Sequence, residues 1–173
     1  MGNAQKDMCR AYYDGAPGVF VSGVVWLLSG IIASIVSFQT GMLSLFFGGM
    51  IIYPVSIVFC KLLGRSGKAH KGNFLATLAV QSTFPLVILF PLAYLVSLVN
   101  LEWFFPAMLL IIGCRYLLFV TIYGLNVYWI FGFLLILSGF ILALYKMNFV
   151  IGAFSGGVIE VLFAAIVFAG ASK

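Results

Sequence analysis

Two charged residues lie within long apolar stretches and are the first candidates for chemistry. Arg115 follows MLLIIGC, and Glu160 follows GAFSGGVI. A charge near the centre of a bilayer is costly, and it usually faces a bundle interior or an aqueous cavity. The two residues therefore indicate either a substrate, ion or proton site, or a buried ion pair that only fixes how the helices pack.

The spacing of these residues predicts that they share one layer of the membrane. Arg115 comes 12 residues after Trp103, and Glu160 comes 11 residues after Phe149. At about 1.5 Å per residue, they lie about 18 Å and about 17 Å from the same interface. Their own helices offer neither side chain a polar neighbour three or four residues away. We therefore predict an interaction between Arg115 and Glu160, either direct or through water.

Other polar side chains can complete a site around this pair. The candidates are Tyr53, Ser138 and Ser29 near the same depth, and Gln81 closer to one interface. A serine hydroxyl in a membrane helix commonly donates a hydrogen bond to the backbone of its own helix. A glutamine side chain that is away from water needs several hydrogen-bonding partners. Pro54 follows Tyr53, and it predicts an irregular helix of the kind that transporters place beside binding sites.

The sequence contains no recognisable catalytic constellation. No nucleophile and general base occur at the spacing of a known catalytic motif. The three cysteines and the single histidine do not have the spacing of metal ligands. We therefore expect no catalytic residue, no metal and no cofactor, and we do not expect an enzyme.

Composition defines the elements that must position these residues. The chain has 173 residues, of which 64% are hydrophobic and 8% are charged. Soluble domains carry about 25% charged residues, and so short a chain cannot bury this much apolar surface in its own core. The continuous apolar runs predict an all-α, polytopic membrane protein with short loops. Its six helices are expected at about 18–38, 41–63, 75–99, 103–123, 126–145 and 149–171.

The positive residues predict orientation. Placing both termini in the cytoplasm leaves Lys146 as the single cation of the outer loops, while seven Lys and Arg lie on the cytoplasmic side. The cytoplasmic segments are an interfacial N-terminal stretch, 1–17, and a basic loop, 61–73. In that loop Lys61, Arg65, Lys68 and Lys71 are expected to contact anionic lipid headgroups rather than nucleic acid.

Short internal similarities suggest two further possibilities. WLLSGIIA followed by GGMI in the first two spans resembles LILSGFILA followed by GGVI in the last two, as a duplication into hairpins would produce. The small residues from Gly152 to Gly156 form a GxxxG pattern, which favours close helix contact, within the bundle, in a homodimer or with another membrane protein.

Three segments carry a family resemblance: VSGVVWLLSG, FFGGMIIYPVS and FFPAMLLIIGCRYLLFVTIYG. They resemble a family of small bacterial multi-pass membrane proteins known only as a domain of unknown function. The resemblance implies a bacterial inner-membrane location and supplies no activity. The leading hypothesis is a small transporter or channel centred on Arg115 and Glu160. The alternative is a non-catalytic accessory or structural protein that packs against another membrane protein and uses the two charges as an ion pair.

Overall fold

The structure is a computed structural model that describes residues 2–170. Throughout that part of the chain the regular elements are helices, and six of them are long and apolar enough to cross a membrane. The predicted all-α bundle with six membrane-spanning helices is therefore confirmed. The expected helix end at residue 171 and the cation Lys173 lie outside the described residues.

Eight α-helices succeed one another along residues 2–170. They are α1 (Asn3–Tyr12), α2 (Ala16–Ile35), α3 (Phe38–Leu62), α4 (Phe74–Gln81), α5 (Phe84–Val99), α6 (Phe104–Tyr123), α7 (Val127–Leu144) and α8 (Phe149–Gly170). Single 3-10 turns precede α2 and α6. Five helices span alone, whereas α4 and α5 together form the third span.

The α-helical hydrogen-bond pattern of the third span is interrupted at Ser82 and Thr83, but both residues keep right-handed helical backbone angles, so α4 and α5 form one kinked span. Pro85 lies in the first turn of α5. Because proline lacks an N–H and its ring clashes with the preceding turn, a helix restarts at such a position more easily than it continues. In contrast, α3 continues through Pro54 as one helix. The interruption expected beside Tyr53 lies instead in the third span.

The spans pack in two rows of three. In one row α2 lies between α3 and α8, and in the other α6 lies between α5 and α7; contacts of α6 with α8 join the rows. The consecutive helices α7 and α8 also meet across the rows, where the rings of Phe131 and Phe163 stack. The two hairpins suggested by the internal similarity differ in packing, because α2 lies along α3 whereas α8 lies along α2 rather than along α7.

Two pairs of glycines mark close approaches between helix backbones. A Cβ atom on Gly23 of α2 would lie 3.0 Å from the carbonyl oxygen of Gly157 on α8, and the reverse distance is also 3.0 Å. Gly113 of α6 and Gly132 of α7 have the same relation at 2.9 Å. Small residues allow helix backbones to meet in a membrane. The Gly23–Gly157 contact explains why α8 belongs to the row of α2.

The helix α1 lies across one end of the bundle, which we call the α1 end. Its Met8 and Ala11 are buried. Gln5 Nε2 donates a 2.9 Å hydrogen bond to the carbonyl oxygen of Thr121, and Cys9 Sγ donates one of 3.2 Å to that of Tyr123. The N-terminal stretch is therefore docked onto the end of α6.

The loop between α3 and α4 is fastened to α1. The Asp7 carboxylate accepts hydrogen bonds from the His70 backbone N–H at 2.9 Å and from Asn73 Nδ2 at 2.7 Å. Asn73 Nδ2 also donates to the Ala4 carbonyl oxygen at 2.9 Å. The bonds from Asn73 and His70 hold the pKa of Asp7 below its ordinary value. The basic loop and α1 thus form one layer over the α1 end.

Candidate functional site

Glu160 lies in the middle of α8 and is 1% exposed. Neither of its carboxyl oxygens has a hydrogen-bonding partner in the described part of the chain. A buried polar group without a partner costs about 1–3 kcal/mol, and a charged one costs more. The carboxyl group of Glu160 therefore offsets none of its burial cost with a well-formed hydrogen bond.

Helices α2 and α6 close around Glu160 of α8. On α2, a Cβ atom at Gly23 would lie 3.0 Å from the Glu160 Cβ, so the α2 backbone touches the base of the side chain. Ser22 of α2 and Tyr116 of α6 lie beside the carboxyl group, but neither hydroxyl meets it at hydrogen-bonding distance and angle. Both residues are buried. The result is a small polar site inside an apolar contact.

Aromatic side chains close this site in both directions along the bundle. Toward the α1 end, the rings of Phe131 and Phe163 stack with centroids 3.8 Å apart, and the Tyr116 ring lies 4.4 Å from that of Phe131. Toward the opposite end, Trp26 and Phe105 lie 5.8 Å apart, with exposures of 1% and 0%. The carboxyl group of Glu160 is therefore occluded.

Arg115 is half-buried and faces the interruption of the third span. Its Nε donates to Ser82 Oγ at 3.3 Å, and its Nη2 donates to Thr83 Oγ1 at 3.4 Å. The guanidinium also lies over the Phe119 ring, 5.2 Å from the centroid. Because both hydrogen bonds are long and both acceptors are neutral, the positive charge remains available for an anionic group.

Of the two predicted forms of the interaction between Arg115 and Glu160, the direct contact is wrong, and the contact through water stays a prediction. Among residues 2–170, Arg115 bonds to the two hydroxyls of the third span, while the carboxyl oxygens of Glu160 have no partner. Tyr116 is the residue of α6 that faces Glu160, and successive residues of a helix point about 100° apart. Arg115 can therefore lie at the same depth as Glu160 and still point toward the third span.

Comparison with known proteins identifies the family. A family model with the description "family of unknown function" matches residues 1–170. The chain belongs to the DUF7010 family. No curated protein and no solved structure matches it. The expected resemblance to a membrane-protein family of unknown function is confirmed, and any activity of this DUF7010 chain must be argued from its own residues.

The other predicted site residues of the DUF7010 chain do not gather around Glu160. Ser29 is buried and donates to the Val25 carbonyl oxygen of its own helix at 2.8 Å. Ser138 likewise donates to the Leu134 carbonyl oxygen at 2.7 Å, and it lines a groove of about 550 Å³ between α7 and α8. Each serine hydroxyl therefore finds its hydrogen-bonding partner within its own helix.

Tyr53 and Gln81 lie on the outside of the bundle. Tyr53 is 56% exposed on α3, and Gln81 is exposed at the end of α4. The prediction that these two side chains complete a site around Arg115 and Glu160 is therefore wrong. The helices that carry Tyr53 and Gln81 turn other faces toward the interior of the bundle. The depth of a residue along its helix does not show which face it lies on.

Sequence reasoning missed the hydroxyl groups that lie closest to the two charges. Ser22 and Tyr116 flank Glu160, and Thr83 joins Ser82 in binding Arg115. One signal was present: the adjacent small residues Ser22 and Gly23 on α2 match the Gly156–Gly157 pair on α8. Such matched small faces favour helix contact.

The glycine face of α8 is used within the DUF7010 bundle. A Cβ atom on Gly156 would lie 2.6 Å from Cε3 of Trp26, and one on Gly152 would lie 2.9 Å from the Cβ of Phe105. Helices α2 and α6 therefore cover the GxxxG pattern that had suggested contact with a second copy or another protein.

Proposed function

We propose that this protein is a small multi-pass membrane transporter whose working site is the buried carboxyl group of Glu160. The observation that carries the proposal is the position of that group at mid-helix, fully buried, with both oxygens unpartnered. A group that costs stability and makes no compensating bond fits a functional role better than a structural one.

Arg115 and the interrupted third span support the same function. Transporters commonly place binding sites beside irregular membrane helices. The third span is irregular at Ser82 and Thr83, and Arg115 of α6 donates hydrogen bonds to both hydroxyls. In our proposal Arg115 attracts an anionic group of the solute, while Glu160 changes its charge state on the other side of α6.

Closure of the site fits a carrier better than a channel. Glu160 is 1% exposed and lies between two buried aromatic pairs, so its carboxyl group has no open access to water in this structure. A carrier passes through such an occluded state whenever access changes from one face of the membrane to the other.

The decisive experiment is uptake into proteoliposomes from a panel of small anions, cations and neutral solutes. We expect at least one solute to accumulate with the wild type, and its initial rate to fall at least about tenfold with Glu160→Gln. Leu162→Met is the matched control, because Leu162 lies on the same helix and is 60% exposed. Identical fluxes for wild type and Glu160→Gln across the whole panel would refute the proposal.

The positive residues of the loop at the α1 end support a cytoplasmic orientation for that end and anionic lipid as its partner. Lys61, Lys68 and Lys71 are exposed there, and Arg65 packs over the Tyr13 ring at 4.8 Å. In our proposal this layer faces the cytoplasm and contacts anionic headgroups. Labelling of a cysteine introduced at Lys68 in intact cells and in inverted vesicles tests the orientation, since only the inverted vesicles should react.

A further inference from the structure

Building on the transport function proposed above, we infer that the species exchanged at Glu160 is a proton, and that Ser22, Tyr116 and the Gly23–Gly157 contact form its occluded binding site. On uptake, a proton adds to one carboxylate oxygen and an O–H bond forms. On release, that bond breaks, the electron pair stays on oxygen, and the proton leaves with water. The exchange needs no oxidant, reductant or second reactant.

The number of available oxygens distinguishes a proton from a metal cation. Protein sites for calcium or magnesium supply about six or more oxygen ligands. Glu160 supplies two, and the hydroxyls of Ser22 and Tyr116 supply one each. The described residues contain no group of three or more His, Cys, Asp or Glu that could hold a metal ion. A proton needs one oxygen, which this site provides.

The charges around the site point to the same ligand. From α2 the polar neighbour is Ser22, which carries no charge, and from α6 it is Tyr116, with the Arg115 charge directed toward the third span. An ionised carboxylate in apolar surroundings without a paired charge is very costly. A proton removes that charge without moving any helix.

The packing around the carboxyl group gives the site its selectivity. Gly23 and Gly157 bring the α2 and α8 backbones into contact beside Glu160, and Trp26 fills the next turn against Gly156. A cation that keeps part of its hydration shell does not fit this contact. A proton reaches the carboxyl group as soon as one of the aromatic layers separates far enough to admit a single water molecule.

Infrared spectroscopy of the full-length protein in lipid vesicles tests this inference directly. We expect the carbonyl stretch of a protonated carboxylic acid at neutral pH, and its disappearance in Glu160→Gln. Glu102→Gln is the matched control and should keep the band, because Glu102 also has one buried, unpartnered oxygen but lies outside the bundle centre. The band should be replaced by carboxylate absorption at alkaline pH and should be the same in sodium and potassium buffers.

Several outcomes would overturn the proton site. They are the absence of the band in the wild type at neutral pH, its persistence in Glu160→Gln, and its loss on adding sodium or potassium at constant pH. If Glu160→Gln does not fold, Glu160→Asp replaces it, and the band must then shift rather than vanish. The spectrum needs no transport. A proton band with Glu160-independent uptake would therefore refute only the transport function, whereas Glu160-dependent uptake without the band would refute only the proton.

Discussion

Replacing Glu160 with methionine should make the protein more stable. The carboxyl oxygens make no hydrogen bond within residues 2–170, so Glu160→Met breaks none. It removes a buried polar group without partners, which costs about 1–3 kcal/mol. Methionine is similar in length and adapts to irregular spaces, and exchanges that conserve volume usually cost less than about 1.5 kcal/mol.

The net expectation is a gain of about 1–2 kcal/mol in the free energy of unfolding. Reversible unfolding in mixed detergent and dodecyl sulfate micelles, followed by far-ultraviolet circular dichroism, measures this quantity. Leu162→Met serves as the control for adding a methionine to α8, and it should change stability by less than about 0.5 kcal/mol because Leu162 faces outward.

A loss of stability in Glu160→Met of more than about 1 kcal/mol would refute the reasoning. It would mean that the carboxyl group makes bonds worth more than its burial costs, and that Glu160 has a structural role. Stabilisation combined with lost uptake is the expected signature of a residue retained for function.

Three further predictions concern packing, the α1 end and lipid. Gly23→Ala should destabilise the protein by about 1–2 kcal/mol in the same unfolding assay, because its Cβ would lie 3.0 Å from a backbone oxygen. Gly49→Ala, with nothing within 4 Å, should be neutral or slightly stabilising. Asp7→Asn should speed hydrogen exchange in α1 at neutral pH. Since the pKa of Asp7 is lowered, the wild-type bonds should persist at neutral pH and fail only as the pH falls below its ordinary value of 3.8. Lys68→Gln combined with Lys71→Gln should reduce the enrichment of anionic over zwitterionic lipid in co-purified native lipid, measured by mass spectrometry, and unchanged enrichment would contradict headgroup contact.

The sequence was sufficient to predict the fold class because a membrane span can be recognised from one continuous stretch of residues. A helix must cross about 30 Å of hydrocarbon, so about 20 apolar residues in a row identify it without knowledge of its neighbours. The depth of Arg115 and Glu160 follows from the same linear rise. Neither inference requires knowing which way a side chain points.

The direction of each side chain was the missing information. Arg115 and Tyr116 differ by one position, yet one faces the third span and the other faces Glu160. The direction in which each side chain of α6 points toward a partner depends on which helices surround α6. The arrangement of those helices depends in turn on which glycine-containing faces pack together. Tyr53 and Gln81 were misplaced for the same reason, because polarity and depth do not separate an outward face from an inward one.

The sequence offered several prolines as sites of an irregular helix but did not show which of them would kink its span. Three prolines lie inside helical spans, Pro54, Pro85 and Pro91, and all have the same local chemistry. The helix restarts only before Pro85, where Arg115 donates hydrogen bonds to the hydroxyls of Ser82 and Thr83. A tertiary contact therefore accompanies the break at one proline and not at the others.

The pairing of α2 with α8 also governs how the protein is made. Gly23 and Gly157 are synthesised more than a hundred residues apart, which at about 5–20 residues per second separates them by on the order of ten seconds. During that interval α2 is present without its main partner, and its Ser22–Gly23 face meets lipid or the insertion machinery. The Glu160 site is therefore completed only when the last helix enters the membrane. A premature stop between α7 and α8 leaves five inserted spans and no carboxyl group at the centre.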